Sequence, residues 1–178
     1  MTHDSLSRKK KKDEWPEGTV LIAGDSMIGG INENRLTKDR CVKVRTHPGA
    51  TVQDMGHHLT ALLRKKPSYL LIHVGTNDAP DEDKGAEDIF EDIINLKSYA
   101  ESLVPGIKVT ISCPTIRKDD NAAKVKVIHL RTLLRTAGIE IVLNGNIGVD
   151  LLGLKGLHLN QHGTRRLAKN FIEYLQCL

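Results

Sequence analysis

The chain has 178 residues, of which 39% are hydrophobic and 27% are charged, and this size and composition predict one globular domain. Only 3% of the residues are aromatic, which argues against a surface that stacks single-stranded nucleic acid on exposed rings. The three cysteines Cys41, Cys113 and Cys177 are widely spaced, which excludes a CxxC zinc site and predicts a reducing, cytoplasmic compartment. The net charge of +4 permits a polyanionic partner without requiring one.

The first residues differ in composition from the rest. Residues 1–17 contain a basic run, Arg8 to Lys12, and we predict a flexible basic lead-in there, followed by one domain over residues 18–178. Two interpretations of the basic run remain open. It is either a solvated tail or an arm attracted to a polyphosphate or to an anionic membrane surface.

From residue 19 onward, strand-like and helix-like segments alternate. Short apolar runs predict strands at 19–23, 41–45, 69–74, 107–112 and 139–143. Apolar stripes at helical spacing separate them: one helix opens at Thr51 with a capping box to Asp54, a second is stopped by Pro105-Gly106, a third is closed by Gly138, and a fourth ends the chain. This order predicts an α/β fold, a flavodoxin-like three-layer αβα sandwich around a five-stranded parallel sheet.

Functional sites in such sheets lie at the carboxyl ends of the strands, where three residues stand out. Ser26 follows the first strand and is either a helix N-cap or a nucleophile whose own N–H faces the developing oxyanion. Gly49 follows the second strand and is either a turn glycine or a backbone donor. Asn77 follows the third strand and either caps a helix or offers its amide to an oxyanion.

One histidine also lies in a loop before the last helix. His158 stands in the segment Lys155-Gly-Leu-His-Leu-Asn160, where it competes with seven other histidines for a role as a base. No histidine pair has the HExxH spacing, so the sequence predicts no metal site of that type and no cofactor.

The order Gly24-Asp-Ser26, Gly49, Gly75-Thr-Asn-Asp78 and a late Gly-Leu-His158 resembles the SGNH (GDSL-type) hydrolase family over residues 19–176. The resemblance implies that Ser26 is the nucleophile and His158 the general base. It also implies an oxyanion hole made of the N–H groups of Ser26 and Gly49 and the side-chain amide of Asn77.

The sequence departs from the family pattern at Lys155, where an aspartate usually orients the histidine. A lysine cannot accept a hydrogen bond from an imidazole N–H. Three explanations are open: the main-chain carbonyl of Lys155 orients His158, Asp150 reaches in from upstream, or the enzyme is weak or inactive. Loss of the orienting acid in a protease costs about 10⁴-fold in kcat.

A narrower resemblance comes from residues 156–171 and from the stretches Gly24-Asp-Ser-Met-Ile28 and His73-Val-Gly-Thr-Asn-Asp78. These are similar to the esterase domain of the first open reading frame protein of LINE-type (non-LTR) retrotransposons. The resemblance implies an acetyl- or short-chain ester hydrolase in a protein that packages RNA, with membrane contact and with oligomerisation through parts outside this chain.

The sequence thus predicts a serine esterase for acetyl or short acyl esters, lipids included, and two alternatives remain. One is a carbohydrate O-acetyl esterase on the same fold. The other is a weakly active or inactive module that binds RNA or membrane through its basic tail and its C-terminal part. From Arg117 to the end of the sequence there are ten Lys and Arg residues and five Asp and Glu residues.

Overall fold

The computed structural model describes residues 13–178. Its centre is a five-stranded sheet in the order β2-β1-β3-β4-β5, in which all pairs are parallel. The strands are β1 (Val20–Gly24), β2 (Val42–Thr46), β3 (Tyr69–His73), β4 (Lys108–Ser112) and β5 (Ile141–Val142). The predicted α/β architecture is confirmed.

Four α-helices connect and cover the strands: α1 (Val52–Leu62), α2 (Ala86–Leu103), α3 (Asn121–Thr136) and α4 (Gln161–Gln176). Helix α1 begins with the predicted capping box between Thr51 and Asp54. Helix α2 ends before Pro105, and α3 is followed by Gly138 at a φ of +69°. Single 3-10 turns lie at Ser26–Ile28, Glu33–Arg35, Leu63–Lys65 and Val149–Leu151.

The core has two parts because successive strand side chains point to opposite faces of the sheet. Leu21, Ile72 and Ile111 are fully buried on the face that α1, α2 and α3 cover. Ile22 and Leu71 point to the other face, which Phe171 of α4 covers. The parallel strands are therefore enclosed by helices, and their carboxyl ends form one open edge.

Strand β5 is shorter than predicted: it spans Ile141–Val142 rather than 139–143. It lies at the sheet edge and pairs only with β4. Beyond it, Leu143 is 54% exposed, and Asn144 turns inward so that its Nδ2 donates to the Cys113 carbonyl at 2.6 Å. This side-chain bond ends the ladder earlier than the apolar pattern suggests.

Part of the predicted lead-in is described. The Trp15 N–H donates to the Lys65 carbonyl at 2.8 Å, and its half-buried ring packs against the core with the Arg45 guanidinium 6.0 Å from its centroid. The packing of the domain therefore includes Trp15, whereas the basic run Arg8 to Lys12 lies outside the described residues. Within residues 13–178, no helix is long and apolar enough to span a membrane.

Candidate active site

Ser26 lies directly beyond the carboxyl end of β1, in the first 3-10 turn. Asp25, not Ser26, is the N-cap of that turn, because its Oδ1 accepts the Met27 N–H at 2.9 Å. The hydroxyl of the half-buried Ser26 has no hydrogen-bond partner within residues 13–178. Of the two interpretations of Ser26, the structure removes the N-cap and leaves the hydroxyl available for chemistry.

Gly24 allows this turn to sit tightly against the neighbouring strand. A Cβ at Gly24 would lie 2.7 Å from the His73 carbonyl oxygen, closer than real Cβ atoms come. The Asp25 N–H donates to the same carbonyl at 3.1 Å. The residue before Asp25 must therefore be glycine for the Ser26 turn to hydrogen-bond to the end of β3.

The loop after β2 is joined to the Ser26 turn by backbone bonds. The His47 N–H donates to the Gly24 carbonyl at 2.8 Å, and the Ala50 N–H donates to the His47 carbonyl at 3.1 Å. Gly49 lies between them, exposed, at a φ of +76° that favours glycine. We call residues 47–50 the oxyanion loop, since Gly49 is the predicted backbone donor.

Asn77, after β3, also contacts this loop. Its Nδ2 donates to the Ala50 carbonyl at 3.1 Å, so the side chain does not cap a helix, and α2 begins only at Ala86 behind Gly85. An amide nitrogen carries two N–H groups, which leaves a second donor on Asn77. The structure thus brings the loops of Ser26, Gly49 and Asn77 to one edge of the sheet.

Two buried aspartates, neither of them predicted as a site residue, support these loops. Both Asp78 oxygens lie 3.2 Å from the Val52 N–H and so hold the start of α1. Burial raises the pKa of Asp78. Burial, with a smaller contribution from the Asp78 charge, raises the pKa of Asp25 to about 7. Asp25 directly follows β1, a position that could have identified it, whereas Asp78 lies five positions beyond the end of β3.

Arg117 is a further support that the sequence analysis missed as a site residue. Its Nη1 donates to the Thr76 carbonyl at 3.2 Å, while Nε and Nη2 bind Asp119 at 2.8 and 2.6 Å. The Thr76 hydroxyl donates to the Thr115 carbonyl at 3.2 Å. These bonds anchor the peptide that precedes Asn77 to the loop after β4.

His158 lies in a loop just before α4. A bridge between Leu152 and Leu159 and a 2.7 Å bond from the Gly153 N–H to the His158 carbonyl fold this loop onto itself. Asn160 caps α4 by accepting the Gly163 N–H at 2.9 Å. The His158 side chain is exposed, and its ring has no hydrogen-bond partner in the described part of the chain.

The histidine loop and the Ser26 turn lie at the same edge but are not joined by a hydrogen bond. A Cβ at Gly30 would lie 2.9 Å from Thr164 Cγ2, which places the first turn of α4 against the end of the Ser26 turn. Lys155 and Asp150 are both exposed, and the Asp150 carbonyl accepts the Asn160 side-chain N–H at 3.0 Å. Which group orients His158 stays a prediction.

A pair of histidines borders the oxyanion loop. The rings of His47 and His58, on α1, are stacked with centroids 3.8 Å apart and planes 12° apart. Burial lowers the pKa of His47, and the nearby His58 lowers it further. This pair fixes one side of the loop that carries Gly49.

The groups gathered at this edge can support acyl transfer. Over residues 13–178, no three His, Cys, Asp or Glu side chains come together in a way that could hold a metal ion. A free hydroxyl beside backbone and side-chain amides is the arrangement that attacks a carbonyl and binds the resulting oxyanion.

Comparison with known proteins shows similarity in structure alone. No protein-family model matches the sequence, and no curated protein matches it. A GDSL-like lipase from Bacteroides thetaiotaomicron has a TM-score of 0.75 at 15% identity, covering 99% of this chain and 98% of its own. A lipolytic G-D-S-L family protein from Veillonella parvula has a TM-score of 0.73 at 17% identity, covering 90% and 99%.

A third solved structure, a carbohydrate esterase family 3 protein from Talaromyces cellulolyticus, has a TM-score of 0.67 at 16% identity, with 90% of this chain and 99% of that chain covered. The TM-scores establish the fold. Because the identities are low, the activity of this chain has to be argued from its own residues. The five-stranded parallel sheet, its helices and its length agree with these structures over nearly the whole domain. The chain has the fold of the GDSL-type (SGNH) lipolytic hydrolases and esterases.

Proposed function

We propose that the chain is a serine ester hydrolase that acts on acetyl or short-chain acyl esters. The observation that supports this most directly is the hydrogen-bonded union of three strand ends. The His47 N–H binds the Gly24 carbonyl at 2.8 Å, and the Asn77 amide binds the Ala50 carbonyl at 3.1 Å. Together they hold a serine without a hydroxyl partner beside two candidate oxyanion donors.

In the proposed reaction, Ser26 Oγ attacks the ester carbonyl carbon while His158 accepts the hydroxyl proton. The carbonyl oxygen becomes an oxyanion that receives hydrogen bonds from the N–H groups of Ser26 and Gly49 and from Asn77 Nδ2. The His158 proton then passes to the leaving alcohol. Water, deprotonated by His158, attacks the acyl-enzyme, and the carboxylate product leaves as Ser26 recovers its proton.

The exposure of His158 fits an enzyme of modest rate. A base without a hydrogen-bonded partner spends part of its time in orientations that do not face the nucleophile, which reduces the gain from proximity. The oxyanion donors do not depend on that orientation, and each typically contributes ~3 kcal/mol. The amide groups therefore contribute to the proposed rate enhancement whatever the orientation of the His158 ring.

The test is hydrolysis of p-nitrophenyl acetate and butyrate by the wild-type chain and by Ser26→Ala. Since Ser26 makes no side-chain hydrogen bond, we expect activity to fall to the buffer rate while the melting temperature stays within about 1 °C, because surface substitutions without partners change stability little. Ser102→Ala, on the exposed end of α2, is the matched control and keeps full activity. Hydrolysis that survives Ser26→Ala contradicts the assignment.

A carbohydrate O-acetyl esterase is the second candidate, supported by the similarity in fold to the Talaromyces carbohydrate esterase. The site chemistry is the same, and only the leaving alcohol differs. A panel of acetylated xylan, acetylated monosaccharides, p-nitrophenyl acetate and short-chain phospholipids distinguishes the two. A kcat/KM at least about tenfold higher for the sugar esters would favour the second candidate.

We further propose, from the sequence resemblance, that the domain belongs to a retrotransposon protein that packages RNA, with the basic residues as its contact with RNA or anionic lipid. Four of the ten C-terminal basic residues already have partners. Arg117 and Lys169 pair with Asp119 and Glu173, and Arg131 Nε and Lys126 Nζ donate to the Pro114 and Asp81 carbonyls at 2.7 and 2.6 Å. The other six, with Arg8 to Lys12, are the candidates.

The measurement is binding of the full chain and of a chain lacking residues 1–12 to a single-stranded RNA and to phosphatidylserine vesicles, at about 50 and 200 mM salt. An electrostatic contact weakens strongly over that range. We expect the truncation to reduce binding. Absence of binding to both partners at low salt contradicts this proposal and leaves the esterase proposal intact.

A further inference from the structure

We propose that a cavity between α3 and the ends of β4 and β5 binds an anion that carries a short apolar chain. The cavity has a volume of about 360 Å³. It shares no residue with the candidate active site, and its lining includes Cys113, Ile128, Arg131, Arg135, Leu143 and Asn144. The inference does not depend on the proposed function.

Arg131 is held in one position at the cavity wall by two hydrogen bonds. Its Nε donates to the Pro114 carbonyl at 2.7 Å and its Nη2 to the Asn144 carbonyl at 3.4 Å, which fixes the guanidinium at the cavity wall. The remaining N–H groups have no partner among residues 13–178. A fixed guanidinium with donors to spare is well suited to a carboxylate or a phosphate.

The cavity wall carries two positive charges, those of Arg131 and Arg135. Arg131 is half-buried, and no carboxylate lies within ion-pair distance of it or of Arg135, one turn later on α3, in the described part of the chain. Burial lowers the pKa of Arg131, as expected for a desolvated cation without a counterion. Two like charges at i and i+4 destabilise a helix. A bound anion between them removes that repulsion.

Apolar side chains form another part of the cavity wall. Ile128, on α3, is 48% exposed, and Leu143, just after β5, is 54% exposed, and both line the cavity. Exposed large apolar side chains that line a concave surface are typical of ligand sites. Among residues 13–178, none of the side chains that line the cavity is aromatic, so a nucleobase would find no ring to stack on. A carboxylate with an aliphatic chain satisfies both the arginines and the apolar wall.

The test is a chemical-shift titration of the full ¹⁵N-labelled chain with three probes. Hexanoate has the charge and the chain, hexanamide has the chain without the charge, and acetate has the charge with almost no chain. We expect hexanoate to bind at least about tenfold more tightly than either control, since a charge-assisted hydrogen bond contributes more than a neutral one. The largest shifts are expected in residues 128–135 and 143–145.

Three variants separate this site from the active site. Arg135→Gln alters an exposed side chain and is expected to weaken hexanoate binding about tenfold, whereas Arg166→Gln, on α4, is the matched control and leaves it unchanged. Asn77→Ala perturbs the proposed oxyanion hole and also leaves it unchanged. The proposal is overturned if hexanamide binds as well as hexanoate, if Arg135→Gln binds normally, or if the shifts map to residues 24–30 and 47–50.

Discussion

The loops that carry Ser26, Gly49 and Asn77 are bonded to one another and to the strands beside them, whereas the loop that carries His158 is bonded mainly to itself. On the first side, each loop has a hydrogen bond to its neighbour, as from the His47 N–H to the Gly24 carbonyl. On the second side, the closing bond runs from Gly153 to His158 within one short hairpin. The loops of Ser26, Gly49 and Asn77 are therefore tied to the strand ends and to one another, while the His158 loop has a backbone bond to the loop after β4, from the Lys118 N–H to the Gly156 carbonyl at 2.8 Å.

This difference separates two contributions to catalysis that usually come together. Donors that are already aimed at the oxyanion need no reorganisation when the charge develops. A base must also be held in the correct orientation, and losing that restraint costs rate without affecting the oxyanion hole. Under the proposed function, electrostatic stabilisation comes from groups held at the strand ends, and proton transfer comes from an exposed ring.

The largest expected effect concerns the base. His158→Ala should lower kcat for p-nitrophenyl acetate by about 10²- to 10⁴-fold, the usual contribution of a general base, with little change in KM. His162→Ala, also exposed at the start of α4, is the control. If His162→Ala causes the loss instead, the base has been assigned to the wrong histidine.

The next effect tests the preorganised side. Asn77→Ala should lower kcat by about 10²- to 10³-fold, as loss of one oxyanion donor does in other hydrolases. Asn95→Ala, on the exposed side of α2, should leave kcat unchanged. Because the Asn77 amide also holds the Ala50 carbonyl, the melting temperature is measured beside kcat. An active Asn77→Ala variant would show that this amide does not face the oxyanion.

Buried Asp25, beside Ser26, makes the stability of the folded chain depend on pH. Its pKa is raised from 3.8 to about 7 in the folded chain, so between these values the folded state binds more protons than the unfolded state. The stability that Asp25 contributes is therefore complete below about pH 3.8. Between pH 3.8 and about 7 the free energy of unfolding falls by up to about 1.4 kcal/mol per pH unit, and above that range it is constant.

The corresponding measurement is the melting temperature of the wild-type chain and of Asp25→Asn from pH 4 to pH 9. Asparagine keeps an oxygen that can accept the Met27 N–H and has no charge to bury. We expect the melting temperature of the variant to rise relative to that of the wild-type chain as the pH increases to about 7. Above pH 7 the difference should stay constant. Parallel curves would mean that Asp25 is ionised throughout.

The sequence predicts the strand ends well because their signals are local. The apolar run 19–23 before Gly24, and the run 69–74 before Asn77, mark where parallel strands stop and where a site must lie. The supports of that site are not local. Arg117 reaches the Thr76 carbonyl across 41 positions, and Asp78 reaches the Val52 N–H across 26. No pattern in one sequence identifies such pairs before the fold is known.

Two details of the local structure differ from the sequence predictions. The N-cap of the first 3-10 turn is Asp25, whose Oδ1 accepts the Met27 N–H, whereas Ser26 was the residue considered for that role. The fifth strand spans Ile141–Val142 rather than 139–143, and beyond it the Asn144 side chain donates to the Cys113 carbonyl. That bond joins residues 31 positions apart, and no local pattern indicates it.

The smallest expected effect concerns the stacked rings of His47 and His58 beside the oxyanion loop. The pKa of His47 is lowered in the folded chain, so the stability it contributes is complete above about pH 6.5 and is lost as the pH falls towards its folded pKa. A charged His47 ring is disfavoured by its burial and by the neighbouring His58, so protonation of His47 weakens the stack. The stack would then open, and the peptide of Gly49 would lose one of its supports.

His58→Phe keeps a flat ring against His47 and removes the contribution of His58 to the lowered pKa of His47. We expect kcat to be unchanged at pH 8 and about twofold higher than that of the wild-type chain at pH 5, with His57→Phe, an exposed neighbour on α1, as the control. An identical pH profile for His58→Phe and the wild-type chain would separate the stack from catalysis. A selective gain at acid pH would instead show that even the preorganised side of the site has one support that protons can weaken.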